Sequence, residues 1–186
     1  MLSIIAKAHH VSRVLAWIGG ALILGSALLV TVEVLIRKFL GTSLAGADEI
    51  SGYAFGIATT LGLAFALFER AHIRVDALFI LLPGFLRAIL NLLGLALLVG
   101  FAAIITVMAW QMVGDTLKHG SHSITPMRTP LALPQIPWLA GWVLFVVAGL
   151  LLFFGALLAT LRGDTASADR LIGVKTLDEQ IDDERA

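Results

Sequence analysis

An all-α integral membrane protein with four transmembrane helices is the fold class this sequence predicts, and three observations predict it. The 186 residues are 59% hydrophobic and only 14% charged, where a soluble domain carries about 25% charged residues. Mean hydropathy is +0.95. The apolar residues gather into four nearly uncharged runs, each close to or above the roughly 20 residues a helix needs to cross about 30 Å of hydrocarbon. None of the runs alternates as a strand does, and backbone groups in lipid must bond within the protein, so helices follow.

The first predicted span runs from Val14 to Ile36, with Glu33 near its end. A cleaved signal peptide is its competing reading, since Lys7 and Arg13 precede it and Ser43-Leu44-Ala45 resembles a cleavage site. The apolar stretch exceeds the roughly 7 to 15 residues of a signal core, which favours a retained helix. Arg37 lies four residues beyond Glu33 on the same helical face and can pair with it near the membrane boundary. A charge in a span is the usual sequence mark of transport chemistry. Glu33 lies about 5 Å from the end of its span, so an interfacial ion pair is the favoured reading over a proton relay.

The second span, Ile50 to Phe68, opens with Asp48 and Glu49. Acids there complement the helix dipole and the unpaired amides, and capping accounts for Asp48, with contact to a partner as the alternative. Gly52 and Gly56 form a GxxxG pair that Thr60 extends, so another helix backbone, from this chain or another, can approach that face. The connection that follows contains His72, Arg74 and Asp76, then Pro83, which suits the first turn of the third helix. A charge cluster at the headgroups is the plain reading of these three residues, and a docking patch is the sharper one.

The third span runs from about Ala88 to Gly114, with Asn91 and Gln111 near its ends, where an amide can bond to a neighbouring helix. Between it and the fourth, Pro130, Pro134 and Pro137 predict an extended, interfacial stretch without regular helix. The fourth span, Trp138 to Leu161, starts with an indole at the depth where such rings settle. Residues 1–161 therefore form a four-helix membrane domain, and residues 162–186, with seven acids against four bases, form a polar, mobile tail.

Counting Lys and Arg gives nine on the side of the termini and the second loop, against four on the other side. Both termini are accordingly expected in the cytoplasm.

Several function classes fall away. Thirteen basic residues balance thirteen acidic ones, so no basic field exists to hold nucleic acid. The absence of cysteine removes thiol chemistry and Cys-type metal sites. All five histidines lie outside the predicted spans, which disfavours an embedded haem. His119 and His122 have no carboxylate set beside them to hold a metal. No nucleotide-binding or hydrolase motif is present. No catalytic residue, substrate-binding residue, metal or cofactor is expected, and the lipid bilayer is the one partner composition demands.

The chain resembles the small four-helix permease subunit, of DctQ type, of tripartite ATP-independent periplasmic (TRAP) transporters. The most specific stretch is His72-Ile73-Arg74-Val75-Asp76 after a second span ending Leu61-Gly62-Leu63-Ala64-Phe65-Ala66-Leu67, followed by Pro83 and Arg87. Arg37, the pair Asp48-Glu49 and the Thr/Pro/Trp stretch before the fourth span support it. In one departure, Gly46-Ala47 stand where family members often carry a tryptophan.

The resemblance implies an inner-membrane protein that is no enzyme and works with two partners: a large permease subunit and a periplasmic solute-binding protein. Together they would take up an organic solute, often a carboxylate, driven by an ion gradient. It further implies that Arg37, Asp48, Glu49, His72, Arg74 and Asp76 serve subunit contact, while the residue reading above adds Glu33, Gly52 and Gly56 as contact or structural positions. Two other readings compete. A respiratory-enzyme anchor would show bound haem in its absorption spectrum. A stand-alone exporter would use Glu33 as its proton-coupled acid and lose activity in Glu33→Gln.

Overall fold

The computed structural model describes residues 2–71 and 83–173. Within them lie α1 (Leu2–Leu40), α2 (Ala47–Phe68), α3 (Gly84–His119), α4 (Ala132–Leu161) and α5 (Thr165–Ile172). The first four are each long and apolar enough to cross a membrane. Among the described residues the only extended pairing is an isolated bridge between His122 and Pro130.

The helices outrun the predicted spans at most ends because the chain offers few stop signals at the membrane boundary. Three of the four stop where glycine takes up a left-handed conformation: Gly41 (φ 65°) after α1, Gly120 (φ 57°) after α3 and Gly163 (φ 76°) after α4, whereas α2 ends ahead of Arg70 at φ 57°. A residue without a Cβ adopts that geometry at no steric cost, which is why it closes helices. At 1.5 Å per residue, α1 and α3, of 39 and 36 residues, reach roughly 58 and 54 Å, well past a 30 Å core.

Two expectations need correction. The stretch before the fourth span is helical from Ala132 onward, not extended. Pro134 falls in the first turn, where its missing N–H would have had no partner, and Leu131 already accepts from the Gln135 amide. Pro137 lies inside the helix and denies a bond only to the Leu133 carbonyl. At the start of the tail, residues Thr165–Ile172 form a short helix where composition predicts a mobile segment. Asp164 Oδ1 accepts from the Ser167 amide at 3.0 Å, capping α5, and Ala168 and Ile172 are buried on the main core.

In space the order is α1–α2–α4–α3, with α1 packed almost wholly on α2, and α5 resting on α4 and α3. The main core joins Ala64 and Leu67 of α2, Leu95, Val99 and Ala102 of α3, and Phe145, Ala148, Leu152 and Ala156 of α4. Two glycines of α4 let its neighbours in. A Cβ on Gly141 would lie 2.5 Å from Thr60 Oγ1 and 2.7 Å from its carbonyl carbon, and one on Gly149 would lie 2.4 Å from Val99 Cγ2. Helices approach closely in lipid through such residues, because dispersion contacts stand in for the hydrophobic drive that lipid lacks. Along α1, Trp17, Leu24, Leu28 and Phe39 stay exposed, an apolar edge suited to lipid or to another membrane chain.

Candidate functional site

Connectivity brings the polar residues to the two ends of the helix array. At the end where α1 runs into α2, Glu33 is 1% exposed and organises the connection. Arg37 donates to its Oε1 from Nη2 at 2.7 Å and from Nε at 3.2 Å. Ser43 Oγ donates to the same oxygen at 2.6 Å, and the Leu44 amide donates to Oε2 at 2.6 Å. Both carboxylate oxygens are therefore occupied by donors of this chain. The carboxylate fixes the turn that delivers the chain into α2.

Asp48 does not cap α2, in contrast to the sequence reading. The cap position is Gly46, at φ 100°, and no side chain bonds there. The positive φ is what favours glycine there, and the Met127 side chain of the α3–α4 connection lies over it, 1.9 Å from where a Cβ would stand. Asp48 and Glu49 sit in the first turn, where their charge still complements the helix dipole.

Glu49 reaches out to the connection between α3 and α4. Its Oε1 accepts from Tyr53 OH at 2.8 Å, and its Oε2 accepts from Thr125 Oγ1. Ser123 Oγ lies 2.7 Å from Thr125 Oγ1 and accepts from the Thr129 amide at 3.0 Å. A chain of hydroxyls thus ties a loop 76 residues away in sequence to α2.

Apart from its own helix backbone, nothing lies within 4 Å of a Cβ position on Gly52, and Gly56 meets only Trp138 Cδ1 at 3.9 Å. Both border an open, apolar cleft of about 300 Å³ with Tyr53, Met112, Gln135 and Trp138. Thr60, on the same face, is where α4 comes close, through Gly141. His72, Arg74 and Asp76 lie outside the described residues.

At the opposite end, His9 Nε2 lies 2.9 Å from Glu69 Oε1, with the imidazole against Phe65 and Phe68. Asn91 Nδ2 donates to Asp169 Oδ1 at 3.4 Å, so the amide read as a helix-to-helix contact reaches α5. Among the described residues no three His, Cys, Asp or Glu come together as a metal site.

The residues that sequence reasoning missed are Ser43, Tyr53, Ser123 and Thr125, which act through pairings no spacing reveals. Gly141 and Gly149 were missed as well, although glycines eight apart in an apolar span are a usable packing signal.

Comparison with known proteins gives one family. The family model described as "Tripartite ATP-independent periplasmic transporters, DctQ component" matches residues 26–159, from the middle of α1 to the end of α4. No curated protein and no solved structure matches the chain. The matched region holds Glu33, Arg37, the acidic pair and both polar connections, and it covers well over half of the sequence. The chain thus belongs to the family of DctQ components of tripartite ATP-independent periplasmic transporters.

Proposed function

We propose that this multi-pass membrane protein packs against the large permease subunit of its transporter and supports it during ion-gradient-driven uptake of an organic solute, a carboxylate being the favoured class. Both termini lie in the cytoplasm on this reading, and the end carrying Glu33, Arg37, Asp48 and Glu49 faces the periplasmic binding protein. The observation that carries the proposal is the family match across residues 26–159. The apolar edge of α1 and the cleft beside Gly52 and Gly56 support it, as surfaces open to a second membrane chain. Glu33, held by three donors of its own chain, suits a supporting role better than a proton-coupled one.

His72, Arg74 and Asp76 are assigned to the cytoplasmic rim that docks the large subunit. Charge reversal at Arg74 or Asp76 is expected to lower recovery of the large subunit in affinity pull-down several-fold. If assembly and uptake are unchanged in both variants, the docking role is wrong.

A further inference from the structure

We propose that the connection between α3 and α4, residues 120–131, is a preformed knob that contacts the water-soluble binding protein, with Ile124 as its apolar anchor and Arg128 as the charge beside it; this rests on the function proposed above. Three observations carry it.

The first is order. The Ser123 amide donates to the Thr129 carbonyl at 2.9 Å and the Leu131 amide to the Ser121 carbonyl at 3.0 Å. Arg128 makes the tight return at φ 47°, and the bond from Thr125 to Glu49 pins the loop to α2. A loop so held loses little conformational freedom when a partner binds, which is what preorganisation contributes to affinity.

The second is what the loop displays. Ile124 is 105% exposed, the most exposed large apolar residue described, although it sits among polar neighbours. His122, Ser123 and Arg128 share a shallow recess with it. Arg128 supplies a positive charge to this recess, whereas Glu49 is turned inward onto Thr125 and Tyr53. An exposed apolar side chain with an arginine beside it complements an apolar recess bordered by a carboxylate, and such charge pairs govern encounter rate and register.

The third is height. From Trp138 to the start of α4 at Ala132 the helix rises about 9 Å, and from Gly114 to His119 α3 rises about 7.5 Å. Indole rings sit at headgroup level, and that layer is roughly 5 to 7 Å deep on each side. The loop therefore stands at the aqueous edge of the headgroups, within reach of a soluble protein and beyond the acyl region.

The chain contains no cysteine, so Ile124→Cys creates a single attachment site for a photoreactive maleimide. The labelled variant is to be irradiated in membranes that carry the large subunit, with the binding protein added. The expected product is a covalent adduct with the binding protein, identified by peptide mass spectrometry and absent for Ile104→Cys on the exposed side of α3. Adding Arg128→Glu should cut the adduct yield at least fivefold, and about 1 M salt should do likewise, since the screening length there is only about 3 Å. The proposal is overturned if the Ile124→Cys chain still recovers the large subunit but its photoproducts are lipid, the large subunit or nothing. Failure of the unsubstituted chain to recover the large subunit is a separate result, and it would remove the proposed function and this inference together.

Discussion

Gly141→Leu is expected to disrupt the packing of α4 on α2 and to give the largest loss of stability of any single substitution in the membrane domain. Even Gly141→Ala places a Cβ 2.5 Å from Thr60 Oγ1, 2.6 Å from Thr60 Cβ and 2.7 Å from the Thr60 carbonyl carbon. Two of these three atoms are fixed by the α2 backbone, so no rotamer change relieves the clash and the helices must separate. Overpacking of this kind costs about 1 to 3 kcal/mol for one added methylene, and Leu adds more. The spatial order α1–α2–α4–α3 makes this contact the hinge between two helix pairs, so its loss loosens the whole array. Thermal unfolding in detergent measures the effect. Gly25→Leu, where nothing lies within 4 Å of the Cβ position, is the control and should leave the midpoint nearly unchanged. Equal midpoints for the two variants would show that the close contact is not real.

Glu33→Ala is expected to be the next most damaging, and for an electrostatic reason. Three groups donate to that carboxylate: the Arg37 guanidinium, the Ser43 hydroxyl and the Leu44 amide. Removing the acceptor leaves all three without their partner at the edge of the hydrocarbon, where water replaces it poorly, and a donor left unmade costs more than a bond gained. The connection Gly41–Gly46 should then detach. Proteolysis should cut there in the variant and spare the parent, and the unfolding midpoint should fall by several degrees. Glu33→Gln should recover only part of the loss, because its amide nitrogen must face one of the three donors. A Glu33→Ala chain with the parent's midpoint and protease resistance would refute the anchoring role.

The fold was legible to the extent that it depends on composition and periodicity. Four apolar runs became four helices, and the Glu33–Arg37 pairing follows from four-residue spacing on a helix. Helix ends were less legible. Helices do not stop at the edge of lipid, so the boundaries depend on Gly41, Gly120 and Gly163 adopting left-handed geometry, and a span filled with glycines does not announce which of them will. The proline stretch misled because two of its three prolines fall before α4 or within its first turn, where proline is tolerated. Asp48 was read as a cap on residue type, yet the capping position falls at Gly46, whose left-handed backbone at φ 100° favours a glycine. Thr125 and Ser123 were invisible as partners of Glu49, since a hydroxyl's role depends on what the chain places opposite it, here 76 residues away. His72, Arg74 and Asp76 carried the family resemblance and lie outside the described residues, so their role stands on the pull-down alone.

The most direct test of the central claim, that this chain supports a transporter and does not itself form the path of the solute, is reconstitution into liposomes with an imposed sodium gradient. Accumulation of a panel of radiolabelled organic carboxylates would be followed for this chain alone, the large subunit alone, and both together with the binding protein. The account predicts accumulation only with the complete set and none above empty liposomes for this chain by itself. Gradient-driven accumulation by this chain alone would contradict it.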